Sequence, residues 1–448
     1  MAAPFTTPHA RVRAGPGMRS LALLCLVLSV AAPTPAAASD DPVELGRLSE
    51  VPVWLLDAGT HAGAPAAAVL TADGTMWWVA GGATVRLQHG LGGEQAEACD
   101  GAIFAVGGLG RLQRFARAPG LPVAALTGPA VSLLHRPVCL DDLKDRTGLA
   151  SGSIAVVDER GDLLLLERDA RVRARTEGVR ALPDAELVLI DLGGDVGPAV
   201  AVLADPTQRY RHGVLGDEVE AGSVVLVAIP SMRVVARWAP THPAVIEERR
   251  ATPWRVGGAV GLHVTVSDDR RGARLVTLAW DETELRPIAE GHAVGRARWL
   301  HVIAAVDARA YVQHRPHLRG PLVRYEFGAI VATGARDDGS PLPAPPSTAS
   351  SLDVSSHVIG ERNLDRAAWL RTEATGVDDL ALPGGDGRSV AWVRCDASAC
   401  LVLAETALAA RLVTNLVPIG RAGAPTGLLL GDASGTVWWL PTPMALER

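Results

Sequence analysis

ADGTMWWV (residues 72–79) and ASGTVWWL (residues 433–440) are nearly the same word, written near the two ends of a 448-residue chain. Each reads small residue, polar residue, Gly-Thr, one apolar residue, then two tryptophans. Each also follows an apolar run, AAAVL at 66–70 and GLLL at 427–430. Apolar run, Gly-containing turn, apolar run is the signature of a β-hairpin. Neighbouring side chains of a strand point to opposite faces, so Trp77 and Trp78 enter different layers, as do Trp438 and Trp439. The sheet carrying them must then be covered on both sides. A sugar-stacking tryptophan platform is the functional alternative; we read the pairs as packing residues.

The same unit recurs along the chain. IFAVGGLGRLQRF (103–115), SIAVVDERGDLLLLER (153–168), SVVLVAIPSMRVVARW (223–238) and RLVTLAWDETELRPI (274–288) are four further hairpins. YVQHRPHLRGPLVRYEF (311–327) is a weaker one, and VAWVRCDASACLVLA (390–404) completes the series. Helical periodicity is scarce. A β-hairpin unit repeated at this scale predicts an all-β fold, a single β-propeller of four-stranded blades. Eight hairpins predict about seven blades, with six or eight also compatible. A row of β-sandwiches would need linkers between domains. The best linker, RDDGSPLPAPPSTASS at 336–351, reads instead as one long surface loop.

Forty-eight per cent hydrophobic and 21% charged residues give ample material for a core and exclude a disordered chain. Lys144 is the only lysine among the 43 basic residues, which reads as the mark of a GC-rich, bacterial genome. The net charge of −6 and the lack of a basic stripe argue against a nucleic-acid partner. Residues 1–38 read as an export signal: Arg19, an apolar stretch from Leu21 to Ala32, and an Ala-x-Ala site at Ala36 and Ala38. The signal also works from Met18, an alternative start. Residues 39–448 are then the propeller. The signal leads us to expect a periplasmic or extracellular location, and no later segment is apolar for long enough to form a transmembrane helix. Cys25 leaves with the signal. The remaining Cys99, Cys139, Cys395 and Cys400 are expected to form two disulfides, Cys99–Cys139 and Cys395–Cys400. The competing reading, a zinc site, lacks the paired C-x-x-C spacing.

The segment ELVLIDLGGDVGPAVAVLADPTQRYRHGVLGDEVEAGSVVLVAI, with IGERNLDRAAWL and DDLALPGGDGRSVAWV, resembles the exported bacterial FG-GAP/VCBS-type repeat proteins, which are β-propellers. The resemblance covers Glu186 to Val393. It implies a calcium loop of the D-x-D-G-D-G type, whose carboxylates suit a hard cation. Here DLGGDVGPA keeps Asp191 and Asp195 but has Gly193 in place of the second carboxylate and Val196 in place of a glycine. Two carboxylates make a poor calcium site, and Asp307 stands in a shortened loop. We therefore expect a turn capped by Asp191 and Asp195, and no cofactor.

The sequence has no G-x-S-x-G elbow, H-E-x-x-H or P-loop. VGGLGRLQ, loosely like a dinucleotide loop, falls at a hairpin turn. The densest polar cluster is QRYRHGVLGDEVE, with Arg209, Tyr210, Arg211, His212, Asp217, Glu218 and Glu220 on a long connection where a propeller presents binding groups. The blander reading is a salt-bridged loop. His314 and His317 flank Pro316, in a strand-and-turn context that does not let them share a metal. His263, His292, His301 and His357 stand singly and are expected to be packed. The expected function is a non-enzymatic binding or structural module for a protein or glycan partner. A propeller hydrolase or lyase with its site in the central funnel is the alternative. The apolar strand VPVWLLD at Val51 is expected to complete the last blade and close the ring.

Overall fold

The computed structural model describes residues 41–446, apart from 183–184, 205–208, 212–217, 221, 242–243, 247–250, 257, 268–271, 293–298, 307–308, 316–321, 327–349, 353–367, 373–376, 385, 397–399, 422–423 and 444–445. Among the described residues, eight antiparallel sheets of four strands or more follow one another, with one further two-stranded hairpin. Each sheet is a blade, and successive blades pack face to face. Blade 1 runs Pro52–His61, Ala64–Thr71, Met76–Ala80 and Ala83–Gln88. Blade 2 is Leu91–Cys99, Ala102–Gly107, Arg111–Ala116 and Leu126–Ala130. Blade 3 is Val138–Cys139, Ile154–Val157, Leu163–Leu166 and Val172–Thr176. Blade 4 is Val188–Asp191, Pro198–Ala204, Ser223–Ala228 and Arg233–Trp238. Blade 5 comprises Thr252–Val256, Ala259–Ser267, Arg274–Trp280 and Leu285–His292, with Val245–Ile246 pairing the far end of the second strand. Blade 6 is Trp299–Val306, Arg309–Arg315, Leu322–Glu326 and Ser350–Leu352. Blade 7 is Ala368–Thr372, Asp378–Pro383, Ser389–Cys395 and Cys400–Ala407. Eight blades are the upper end of the expected range.

Blade 8 closes the ring. Val417–Arg421, Ala424–Gly431 and Thr436–Pro441 come from the C-terminal end of the chain, and the outer strand is Val43–Arg47 from the N-terminal end. The strand at Val51, expected to do this, is instead the first strand of blade 1. The reason lies in burial. PVWLL supplies apolar groups to both faces and suits an inner strand, whereas VELGR buries only Leu45 and Gly46 and suits an outer edge.

The tryptophan pairs alternate as strand geometry demands. Trp78 packs with Leu56, Leu70 and Met76 of its own blade against Ile103 and Phe115 of blade 2. Trp77 faces the other way and joins Leu429, Val437 and Trp439 between blades 8 and 1. Trp438, next to Trp439, packs with Trp392 and Leu440 between blades 7 and 8. The two words occupy the same strand, the third, of two blades that are neighbours only because the ring closes.

The turn in each word is a joint between blades. Gly74 and Gly435 have φ of 76° and 85°, and their N–H groups donate to Thr71 and Asp432 carbonyls. Their own carbonyls accept from the linker into the next blade: Leu91 N–H on Gly74 and Leu48 N–H on Gly435, both 2.9 Å. Gly110, Gly161 and Gly387 do the same in blades 2, 3 and 7, receiving Val131, Ala181 and Leu412. A carboxylate stiffens several of these turns. Asp73 accepts from the Thr71 and Thr75 hydroxyls, which hold its pKa below the ordinary value. Asp432 accepts from Ser434 N–H and from the Trp438 indole N–H, both at 2.8 Å.

On the opposite face, Cys99 and Cys139 are bonded, joining the ends of the first strands of blades 2 and 3. Cys395–Cys400 staples the last hairpin of blade 7. Between blades 6 and 7 lies a buried ion pair, Arg309 Nη2 to Asp378 Oδ1 at 2.8 Å. The loop expected over 336–351 lies outside the described residues except for Ser350 and Ser351, which belong to the outer strand of blade 6.

Candidate functional site

The first strands of blades 1 and 2, 2 and 3, 4 and 5, 5 and 6, 7 and 8, and 8 and 1 stand side by side, and side chains knit several of them together. Asn415, ahead of blade 8, copies a strand partner: its side-chain oxygen accepts from Leu55 N–H at 2.8 Å and its amide donates to Leu55 C=O at 3.0 Å. The Trp54 indole N–H donates to Ala96 C=O in blade 2. Next to Ala96, Glu97 receives Nε of Arg136, in the run leading into blade 3, at 2.9 Å, and Nη2 of the same guanidinium also bonds it. That guanidinium stacks over the Trp54 ring at 5.2 Å. Blades 1, 2 and 3 are thus joined through one cation.

Beside this cluster is a cleft of about 210 Å³ formed by Glu97, Arg136, Val138, Glu186, Leu187, Val188, Leu189 and Pro253. These residues belong to or lead into the first strands of blades 2 to 5. The chemistry is one arginine and two glutamates above an apolar wall.

Asp191 and Asp195 lie at the end of the first strand of blade 4. The Asp191 carboxylate bonds Arg146 and, at 3.1 Å, Arg255 of blade 5, and it also accepts from Gly193 N–H at 3.2 Å. Leu192 N–H donates to Gly197 C=O, closing the turn. Asp191 Oδ1 thus caps the turn through Gly193 N–H, while Oδ2 faces the guanidiniums of Arg146 and Arg255.

The polar cluster of the sequence becomes a second hairpin grown from the connection between the middle strands of blade 4. Arg209–Arg211 pairs with Glu218–Glu220, with Arg209 opposite Glu220, Tyr210 opposite Val219 and Arg211 opposite Glu218. His212 and Asp217 lie outside the described residues. His314 stands in the second strand of blade 6, opposite Leu300, and His317, like Asp307 and His357, lies outside the described residues. His292 ends the fourth strand of blade 5, and His301 lies in the first strand of blade 6. His263 is fully buried in blade 5, near Trp254, with Nδ1 3.1 Å from Thr277 Oγ1. Burial pushes its pKa down to about 3.

Trp54, Glu97 and Arg136 were not singled out by sequence reasoning. No local motif joins residues some forty positions apart. One signal was present: Glu97 lies two residues before Cys99 and Arg136 three before Cys139, so a disulfide between those cysteines brings the two charges together.

No protein-family model matches the chain, and no curated protein matches its sequence. Solved structures do share its architecture. A computationally designed protein, Ika8, matches with a TM-score of 0.51 at 11% identity, over 89% of this chain and 99% of its own. The C-terminal WD40 domain of Sif2 matches at 0.46 and 11% identity, over 90% and 99%. BamB from Moraxella catarrhalis matches at 0.37 and 11% identity, over 89% and 86%. At such identities the likeness is one of fold: the chain is a β-propeller, with eight blades among the described residues and the last completed by the strand Val43–Arg47.

Proposed function

We propose that this chain is an exported, non-enzymatic β-propeller that serves as a binding module for a protein or glycan partner, in the manner of FG-GAP/VCBS-type repeat proteins. One observation carries the reading. The turns between middle strands of blades 1, 2, 3, 7 and 8 are tight and held by the neighbouring linker, whereas blade 4 extends the same connection into a second hairpin. That hairpin adds nothing to the four-stranded blade. Its register sets Arg209 opposite Glu220 and Arg211 opposite Glu218, on a connection of the kind that carries recognition groups in many folds. On the first strands of blades 2 and 4, Glu97 and Asp191 are each held by arginine, an arrangement that suits anchoring better than proton transfer. The segment at 1–38, read as an export signal, supports a periplasmic or extracellular location for the module.

The test compares the mature chain with a variant in which residues 205–222 are replaced by a short Gly-containing turn. Both are used as bait in periplasmic and secreted extracts. The reading expects a partner retained by the first and lost by the second, at equal thermal stability. Equal retention by both, or substrate turnover by the mature chain in a hydrolase screen, would overturn it.

A further inference from the structure

We infer that Arg114 and Arg168, at the seam of blades 2 and 3, form a binding site for a phosphate group. The argument begins with an unbalanced charge. Three arginines are buried among the described residues, Arg114, Arg274 and Arg309. Two of them face a carboxylate: Arg274 meets Glu290 at 3.4 Å and Arg309 meets Asp378 at 2.8 Å. Arg114, only 6% exposed, has no ion pair among the described residues. It stands in the third strand of blade 2 opposite Phe104, whose ring centroid lies 5.9 Å from the guanidinium carbon. Nη1 donates to Ala124 C=O at 3.3 Å, Nε is sealed without a hydrogen-bond partner, and Nη2 makes no hydrogen bond among the described residues. A buried cation needs a counter-ion or a full set of acceptors, and here both are missing.

A second guanidinium stands over the same end of the seam. Arg168, in the turn between the third and fourth strands of blade 3, is 59% exposed and reaches Asp100 Oδ2 through Nε at 3.3 Å. Asp100 lies in the turn leading to Ala102, which pairs with Ala116, two residues beyond Arg114. Burial first, and then the charge of Arg168, pushes the Arg114 pKa below the ordinary arginine value; Asp100 and Asp169 offset only part of this. Asp100 is already engaged by Arg168, so one positive charge is in surplus. The open donors are Nη2 of Arg114 and both Nη groups of Arg168. They belong to two planar groups on two blades, which suits a tetrahedral oxyanion better than a flat carboxylate. Such a ligand completes the hydrogen bonding of Arg114 and supplies its counter-ion. The site lies at the end of the blades opposite the blade 4 hairpin and does not rest on the function proposed for it.

Titration calorimetry on the purified protein tests this with inorganic phosphate, glycerol phosphate and malonate, at fixed ionic strength and neutral pH. We expect saturable one-to-one binding of phosphate, glycerol phosphate or both, and affinity at least tenfold weaker for malonate, a carboxylate of no lower charge. Tighter binding of inorganic phosphate identifies the free ion as the ligand; tighter binding of the ester identifies a phosphorylated molecule. Arg168→Gln, an exposed change, should weaken binding tenfold or more at an unchanged melting temperature. Arg114→Met removes the unpaired charge and keeps a long side chain. It should abolish binding and leave the ligand-free melting temperature equal or higher. The inference fails if neither phosphate compound binds up to about 10 mM, or if malonate binds as tightly. It also fails if Arg114→Met melts lower, since the guanidinium would then already be satisfied. The malonate comparison and Arg168→Gln do not depend on how Arg114→Met folds.

Discussion

Lowering the pH from 7 to 5 should weaken this protein through His263 in particular. The imidazole is fully buried in the second strand of blade 5, between Leu262 and Val264 in sequence. Burial depresses its folded pKa to about 3, while the unfolded chain titrates near 6.5. The sign follows directly. Above pH 6.5 both states hold a neutral ring and His263 adds no pH dependence. Below 6.5 the unfolded state takes up a proton that the folded state refuses, so stability falls until the pH nears 3. At pH 5 the unfolded state is 1.5 pH units below its pKa, which converts to a loss of about 2 kcal/mol. This figure is insensitive to the folded value provided that value stays below 5. The assay is urea unfolding followed by tryptophan fluorescence, at both pH values, for the wild type and for His263→Gln and His263→Phe. Each variant has its own stability at pH 7; only the change on acidification counts. The wild type should lose about 2 kcal/mol more than either variant. A difference under about 0.5 kcal/mol would show that His263 accepts a proton in the folded state, and the reasoning would be wrong.

Gly435→Ala should cost about 3 kcal/mol or more, because a Cβ there would sit 2.3 Å from Leu48 O on a backbone with φ of 85°; a melting temperature within a degree of wild type would refute the blade joint. Removing residues 41–47 should unfold the protein cooperatively, since blade 8 loses its outer strand and Leu45 leaves the cluster between blades 8 and 1. A loss of hydrogen-exchange protection confined to blade 8 would contradict that. Asp378→Ala should cost about 3–5 kcal/mol by leaving Arg309 buried without its carboxylate, measured by urea unfolding. Replacing Cys99 and Cys139 together by Ala should cost about 4 kcal/mol, and replacing Cys395 and Cys400 about 2, because the first bond closes 40 residues and the second 5. The reverse order would count against a loop-entropy origin.

Much of the fold was written in short words of sequence. Alternation in MWWV and VWWL required a sheet covered on both faces, and Gly-containing turns marked the hairpins. These are local properties, fixed by strand geometry and by the freedom of glycine at positive φ. The cysteine pairs were legible because the four cysteines beyond residue 38 can be matched in only three ways. The closing strand was misassigned because hydrophobicity favours inner strands. VPVWLLD is the more apolar segment, yet an outer edge needs only the weaker VELGR.

The sequence by itself determined the kind of unit, its repetition and the apolar faces, since each depends on neighbours a few residues apart. Only the tertiary structure decided which side chains meet. Ring closure put Trp77 and Trp439 on one apolar cluster, and stacking of blades 1, 2 and 3 put Trp54, Glu97 and Arg136 together. Contacts between the first strands of neighbouring blades join residues from different repeats. No local pattern records such a contact, because a whole blade of chain separates one first strand from the next.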